Sequence, residues 1–283
     1  MMNLGGEGSK NSLETDFAAK KWGVVLPKNY LPMLLAVPLL AFLPILLVGA
    51  FAAGVLAFKQ KQRAARRAEM AALAAEHGLQ FSPDDSLGLL AQLADLHLFR
   101  REKRWWGLRK GRISNVLRGQ AGDGTDVFLF DYSYVVSRGK SSKEVRQTVF
   151  FAQNKNWYLP NFRLQPETWW HKVMARLGDR SDIDFDENPD FSEKFHLTAK
   201  FEDLTRELFS RPVQHFLTER PPVHMEGNNY YFLAYKPGKQ LDPDTAKHFF
   251  DNCCELTQLL EREDKTELLS LVEIRKEAEK MAR

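Results

Sequence analysis

The chain is 283 residues long and 44% hydrophobic, with 40 Lys and Arg against 37 Asp and Glu for a formal charge of +3. So slight a positive balance excludes the electrostatic footprint of a general nucleic-acid binder. Its two cysteines, Cys253 and Cys254, are adjacent, which excludes a disulfide framework and agrees with a reducing compartment.

The first ~15 residues, rich in Gly, Ser and Asn, have the composition of a disordered tail. From Leu31 to Phe58 no side chain is charged, whereas ~18 such residues already make a candidate membrane span. A helix that is apolar all round has no face to offer water. At ~1.5 Å per residue it would be ~42 Å long if straight, more than a hydrocarbon core of ~30 Å, so tilt or bending takes up the excess. Pro32 suits a first turn, while Pro38 and Pro44 predict bends. A re-entrant hairpin is the alternative. A cleaved signal peptide, with Ala50-Phe51-Ala52 as its processing site, is disfavoured because ~30 mostly polar residues precede the run and the run exceeds a signal core of ~7–15.

Basic residues set the orientation. Lys59, Lys61, Arg63, Arg66 and Arg67 follow the run, against Lys20, Lys21 and Lys28 before it. This predicts residues 1–30 outside and the C-terminal part in the cytoplasm, with Trp22 and Tyr30 at the outer interface. The expected organisation is a polar tail (1–30), a transmembrane helix (31–58), a basic juxtamembrane helix (59–78), an α+β domain (79–262) with a subdomain division near 165–190, and a charged tail (263–283).

Lys59 to His77 is rich in Ala, Arg and Glu, good helix formers, and Gly78 supplies a stop. Leu79 to Phe81 predicts a short strand. Ser82 and Pro83 then read as cap and first position of a helix carrying Leu87, Leu90, Leu93, Ala94 and Leu96. The pattern next changes to a period of two. Ile113 to Leu117, Val127 to Val136 and Val145 to Ala152 predict strands of an antiparallel meander, with Phe128, Phe130, Tyr132, Tyr134 and Val136 along one face. Trp157 to Leu164 is extended, and Pro166-Glu167 opens a helix through Trp169, Trp170, Val173, Met174 and Leu177. Strand character returns at Ile183 to Phe185 and Phe195 to Ala199. Helices are expected at Glu202 to Phe209 and Pro212 to Leu217, then a hairpin turning on Gly227-Asn228-Asn229. A final helix is capped by Asp242 and carries Ala246, Phe249, Phe250, Cys253, Leu256 and Leu260 on one stripe.

The series Asn115-Val-Leu-Arg-Gly119, Phe130-Asp-Tyr-Ser-Tyr134, Gln147-Thr-Val149, Leu159-Pro-Asn-Phe162, Pro166-Glu167, Asp182-Ile-Asp-Phe185 and Pro189-Asp-Phe-Ser192 resembles a set of uncharacterised bacterial single-pass membrane-anchored proteins over residues 79–262. That resemblance implies an α+β fold; the expected location is a bacterial inner membrane. The resemblance implies no catalytic residues, because no activity is assigned to the set.

Four constellations carry candidate chemistry. Arg100, Arg101, Lys103, Arg104, Arg109, Lys110 and Arg112, interrupted by Trp105 and Trp106, are read with Lys59, Lys61, Arg63, Arg66 and Arg67 as membrane-surface candidates for anionic headgroups. The plainer reading is a solvated loop with core tryptophans. Asp182, Asp184, Asp186, Asn188, Asp190 and Glu193 match an EF-hand spacing, but Glu187 stands where the loop needs Gly, and an acidic strand and turn explains the pattern better. His248, Asp251 and Cys254, and the pair Glu167 and His171, match no catalytic or metal motif. Asp131, inside Phe130-Asp-Tyr-Ser-Tyr134, is either solvent-facing or buried and paired with Arg118 or Arg146.

The expected function is a binding, adaptor or sensor module at the membrane surface, needing no cofactor or metal. Its partners are the bilayer, anionic headgroups and a protein partner, without nucleic acid. The alternative is a membrane-tethered, hydrolase-like enzyme with a dispersed site built on Asp131, His171 or Cys254. A third reading is an assembly component whose span recruits other helices, although Gly49 and Gly54 lack the Gly-x-x-x-Gly spacing.

Overall fold

The structure, a computed structural model, describes residues 30–100, 111–121, 124–138, 141–167 and 183–260. The chain divides into two compact units, Met1–Ala64 and Ala65–Arg283. In the first, helix α1 (Tyr30–Glu76) begins, and it runs on into the second. Along α1, Ile45, Leu46, Leu47, Val48, Phe51, Leu56 and Phe58 expose 61–75% of their surface. The stretch Pro44–Glu76 is long and apolar enough to cross a membrane.

The second unit is an α+β domain built on an eight-stranded antiparallel sheet of order β1-β2-β3-β4-β8-β7-β5-β6. The strands are β1 (Gln80–Asp84), β2 (Arg112–Gln120), β3 (Asp126–Arg138), β4 (Ser141–Gln153), β5 (Leu159–Pro166), β6 (Phe195–Ala199), β7 (His224–Asn229) and β8 (Tyr231–Tyr235). Helices α2 (Leu89–Gln92), α3 (His97–Arg100), α4 (Pro189–Lys194), α5 (Glu202–Leu208), α6 (Arg211–Thr218) and α7 (Pro243–Leu260) complete it. The expected meander is β2 to β4, with the short strand β1 added at its edge, and the predicted stripe on α7 is buried throughout.

Both faces of the sheet are covered. One face, with Leu129, Phe150 and Phe232, packs against Met70, Leu73 and Ala74 of α1 and Phe249, Phe250 and Cys253 of α7. The opposite face, with Phe128, Phe130 and Tyr132, packs under Leu89, Leu93, Leu98 and Phe99. Burial at both faces is why the middle of β3 reads as a near-continuous apolar run with only one charge in it.

Helix α1 ends as Gly78 predicts. Gly78 takes φ +65, its N–H donates to Ala75 O at 3.3 Å, and Leu79 N–H donates to Ala74 O at 2.8 Å. These are the two bonds of a Schellman ending, and Leu79 then packs onto the core.

Three local expectations are corrected. Ser82 and Pro83 do not open a helix; they lie in edge strand β1, where a proline needs no ladder donor. The later helix α2 starts after Gly88, and the Asp85 carboxylate accepts from its first N–H groups, Leu89 N at 2.7 Å and Leu90 N at 2.9 Å. Ile183 to Phe185 is irregular chain, tied to β6 by Ile183 N donating to Leu197 O at 2.8 Å. The β7–β8 hairpin turns at Asn229-Tyr230, since Asn228 pairs with Tyr231. Asn229 supplies the left-handed residue at φ 58, and Gly227 sits in the strand. The helix expected after Pro166 lies outside the described residues.

Gly227 is there for space. It pairs with Phe162 of β5, and a Cβ on it would stand 2.1 Å from the Phe162 ring. That ring is 2% exposed and edge-packed on Phe209 at 5.1 Å, so it has no room to retreat. Gly227→Ala is therefore expected to cost about 1–3 kcal/mol by overpacking, with Phe162→Leu recovering part of the loss. Urea unfolding of the two single variants and the double variant checks it; additive losses would show that the two sites do not clash.

Candidate functional site

The one charge within the apolar run of β3, Asp131, is 4% exposed and faces α1. Arg66 grips it with two nearly parallel bonds, Nε to Oδ2 at 2.9 Å and Nη2 to Oδ1 at 2.9 Å. Three further donors complete the shell: Asn115 Nδ2 at 3.0 Å, Gln240 Nε2 at 2.9 Å and Thr148 Oγ1 at 3.2 Å. The Thr148 hydroxyl also accepts from Leu241 N at 3.0 Å. A buried carboxylate is tolerated when its lone pairs are filled and a counter-charge is held in a fork geometry, as here.

Each donor is delivered by a local irregularity. Asn115 adopts φ 53 in a break of β2 register between Ser114 and Leu117, which turns its amide toward Asp131. Thr148 is the direct cross-strand partner of Asp131. Gln240 comes from the turn after β8, fastened where Thr148 N donates to Lys239 O at 3.0 Å and Gly238 N to Gln147 Oε1 at 3.0 Å.

Asp131 is thus buried and paired, but with neither of the two expected partners. Arg118 is opposite Phe128 and so belongs to the other face, where it reaches Asp126 at 3.3 Å. Arg146 pairs with Glu144 at 2.8 Å. The partner lies 65 residues earlier in the chain.

A second buried carboxylate serves the opposite face. Glu226, 2% exposed, accepts from His97 N at 2.6 Å at the start of α3 and from Tyr235 Oη at 3.0 Å. Burial raises its pKa above the ordinary value, while the bonds from Tyr235 and His97 and the nearby Arg163 charge only partly offset this. Both carboxylates therefore fasten a covering segment onto the sheet, α1 on one face and the α2–α3 segment on the other.

Among the membrane-surface candidates, Lys59, Lys61, Arg63 and Arg67 are exposed on α1, whereas Arg66 turns its guanidinium into the domain. Arg100 is exposed at the end of α3, with Nη2 donating to Asp95 O at 2.8 Å. Arg112 pairs with Asp84 at 2.8 Å. Arg101, Lys103, Arg104, Trp105 and Trp106, with Arg109 and Lys110, lie outside the described residues. So do Asp182 and His171.

Two residues of the 182–193 stretch have structural employment. Asn188 Oδ1 caps α4 by accepting from Phe191 N at 3.3 Å, with Pro189 following it, and Glu187 pairs with Arg211 at 2.7 Å. A cleft of about 110 Å³ lies between α6, α7 and β7, lined by Phe216, Val223, Met225, Phe249 and Cys253 among others. Burial pushes the Cys253 thiol well above its usual range, and burial with the Asp251 charge pushes Cys254 up to about 12. Neither is a thiolate at neutral pH, the form nucleophilic chemistry requires.

Replacing Arg66 leaves a buried carboxylate without its counter-charge, so Arg66→Met is expected to cost about 3–5 kcal/mol. The double variant Arg66→Met/Asp131→Leu is expected to lose much less than the two single losses summed, read from urea unfolding in detergent. A loss near zero for Arg66→Met would refute the lock. For Glu226, the native chain holds the proton at pH values where the unfolded chain has released it. Stability from this site is complete below about 4.5, the ordinary value, and is lost as pH rises through the elevated native value. Glu226→Gln is expected to flatten the decline in stability between acid and neutral pH; slopes identical to the parent protein would contradict this.

No family model matches the chain, and no curated protein matches it. Among solved structures, it is similar to the mycobacterial trehalose monomycolate transport factor A, TtfA, with a TM-score of 0.45 and 14% identity over 70% of this chain and 97% of that one. A likeness of that degree does not transfer function.

Proposed function

We propose that this chain is a single-pass membrane protein of a bacterial inner membrane, with residues 1–30 outside and its α+β domain in the cytoplasm. The domain is a binding module, an adaptor or sensor, that works at the membrane surface. The observation that carries this reading is the contrast along α1. Ile45 to Phe58 leave 61–75% of their larger apolar side chains uncovered, with Val55 at 37%, and contiguous apolar surface of that extent calls for lipid. Met70, Leu73 and Ala74 of the same helix belong to the domain core.

The basic flank supports the orientation. Lys59, Lys61, Arg63 and Arg67 remain exposed after Arg66 is taken up by Asp131, and Arg66 still counts during insertion, before the domain folds. Two residues on which the enzyme alternative relies support binding instead of chemistry. Asp131 is filled by five hydrogen bonds from four side chains, and the Cys254 thiol is held far from ionisation.

Membranes washed with alkaline carbonate are expected to retain the full chain, and reporter fusions to be active outside at the N-terminus and inside at the C-terminus. Release by carbonate, or an externally active C-terminal reporter, would overturn the anchor or its topology. Crosslinking in intact cells that yields neither a reproducible protein partner nor a lipid adduct would count against a binding module.

A further inference from the structure

The apolar cleft between α6, α7 and β7 belongs wholly to the second unit, and every residue that lines it lies between Phe195 and Leu256. Its floor and its rim differ in kind. Phe195, Phe216, Met225, Phe249, Cys253 and Leu256 make the floor, each 7% exposed or less. The polar side chains of the lining, Arg220, Lys236, Thr245, His248 and Asn252, are half-buried or exposed and form the rim. An apolar recess with a few polar groups at its edge is the usual form of a small-molecule site.

Arg220 fixes one wall. Its guanidinium lies 3.5 Å from the centre of the Phe216 ring, Nε donates to Asn252 Oδ1 at 3.0 Å, and Nη2 donates to Glu255 Oε2 at 2.9 Å. These contacts tie the residues after α6 to α7, and they leave the Arg220 charge already answered by Glu255.

What the rim still offers is donors. Lys236 Nζ and the His248 ring have no hydrogen bond or ion pair among the described residues. Asn252, whose Oδ1 is taken by Arg220, keeps its Nδ2 for another acceptor. The Lys236 charge is felt on the floor, where it opposes the rise that burial imposes on the Cys253 thiol. No described carboxylate lines the cleft. The acids around it are turned elsewhere: Asp242 accepts from Thr245 N at 3.0 Å, Asp251 lies 3.8 Å from His77 Nδ1, and Asp244 acts on Lys247.

We infer that this cleft binds a small aliphatic carboxylate, its chain on the floor and its charged end at the rim against Lys236, with His248 and Asn252 as further donors. Size sets the chain. A dry cavity of ~150 Å³ lined by aliphatic and aromatic side chains takes benzene, so the ~110 Å³ here suits a chain of about four or five carbons. Charge sets the head group. An amine would meet Lys236 as a like charge, and an alcohol would forgo the stronger charge-assisted bond. The site stands on the second unit alone and depends on neither the anchor nor its orientation.

The test is calorimetric titration of the full chain in phosphatidylcholine nanodiscs with hexanoate, the heat of empty discs being subtracted. One hexanoate per chain is expected, at about millimolar strength or tighter. Acetate, hexanol and hexylamine are each expected to bind more weakly by about tenfold or more. Lys236→Gln is expected to weaken hexanoate about tenfold while leaving hexanol unchanged. Lys239→Gln, exposed and outside the lining, leaves both unchanged. Because Lys236 is at the rim, its variant keeps the floor intact, and the retained hexanol binding reports that. Equal affinity for hexanoate and hexanol would overturn the carboxylate. Hexanoate binding that survives Lys236→Gln combined with His248→Gln would place the ligand elsewhere and overturn the site, and no heat above that of empty discs would overturn both. N-acetylnorleucine bound more tightly than hexanoate would overturn the free acid in favour of a peptide terminus.

Discussion

A carboxylate in the middle of an apolar strand is an obligation that the rest of the fold must meet. Asp131 cannot reach water, and an isolated charge there would cost several kcal/mol. Everything near it is arranged to supply donors. The left-handed Asn115 breaks the register of β2, Thr148 sits directly opposite, the turn after β8 bends in to deliver Gln240, and α1 brings a guanidinium. The pair contributes little net stability over a well-packed apolar substitute, but removal of one partner is punishing. Its value lies in saying which residues of α1 meet which residues of the sheet.

That information is needed because the packing surface of α1 is nearly featureless. The helix between Arg63 and His77 is mostly alanine, and its buried contacts are Met70, Leu73 and Ala74. Small side chains make neighbouring registers similar in shape, so a slide by one helical turn would change apolar burial only modestly. The bidentate contact has one satisfactory position. Glu226 works by the same logic on the opposite face, where the short α2 and α3 cannot hold themselves by helix propensity and the carboxylate accepts the first N–H of α3.

Much of this was legible in the chain. Uncharged residues from Leu31 to Phe58, alternation in the β3 region and the stripe on α7 each follow from one periodicity, and each element formed where that periodicity lies. The burial of Asp131 was legible as an alternative, because a lone charge among aromatics must either face water or be paired. Its partner was not. Choosing Arg118 or Arg146 relies on strand neighbours, and the break at Asn115 sets the parity of β2 so that Arg118 falls on the other face. Arg66 was legible only as one more cation of the juxtamembrane set, since its identity as a buried partner depends on a helix docking from far away in sequence. Likewise Ser82-Pro83 satisfies a helix-start pattern, yet pairing of β1 with Val116 and Ser114 overrides it.

Taking Arg66 out of the membrane-surface set changes the physical meaning of the basic residues that remain. A run of cations after a span is ordinarily read as one feature, attracted as a block to anionic lipid. Here the block is divided by burial: Arg66 supplies a fixed counter-charge to the domain, and its sequence neighbours Arg63 and Arg67 stay in solvent. Attachment of the helix to the domain is therefore insulated from the salt concentration that screens the exposed cations, because a buried ion pair is screened far less than surface charges. The helix can stay in register with the domain while the screening of its exposed cations varies, a separation of roles that a uniformly exposed basic helix does not provide.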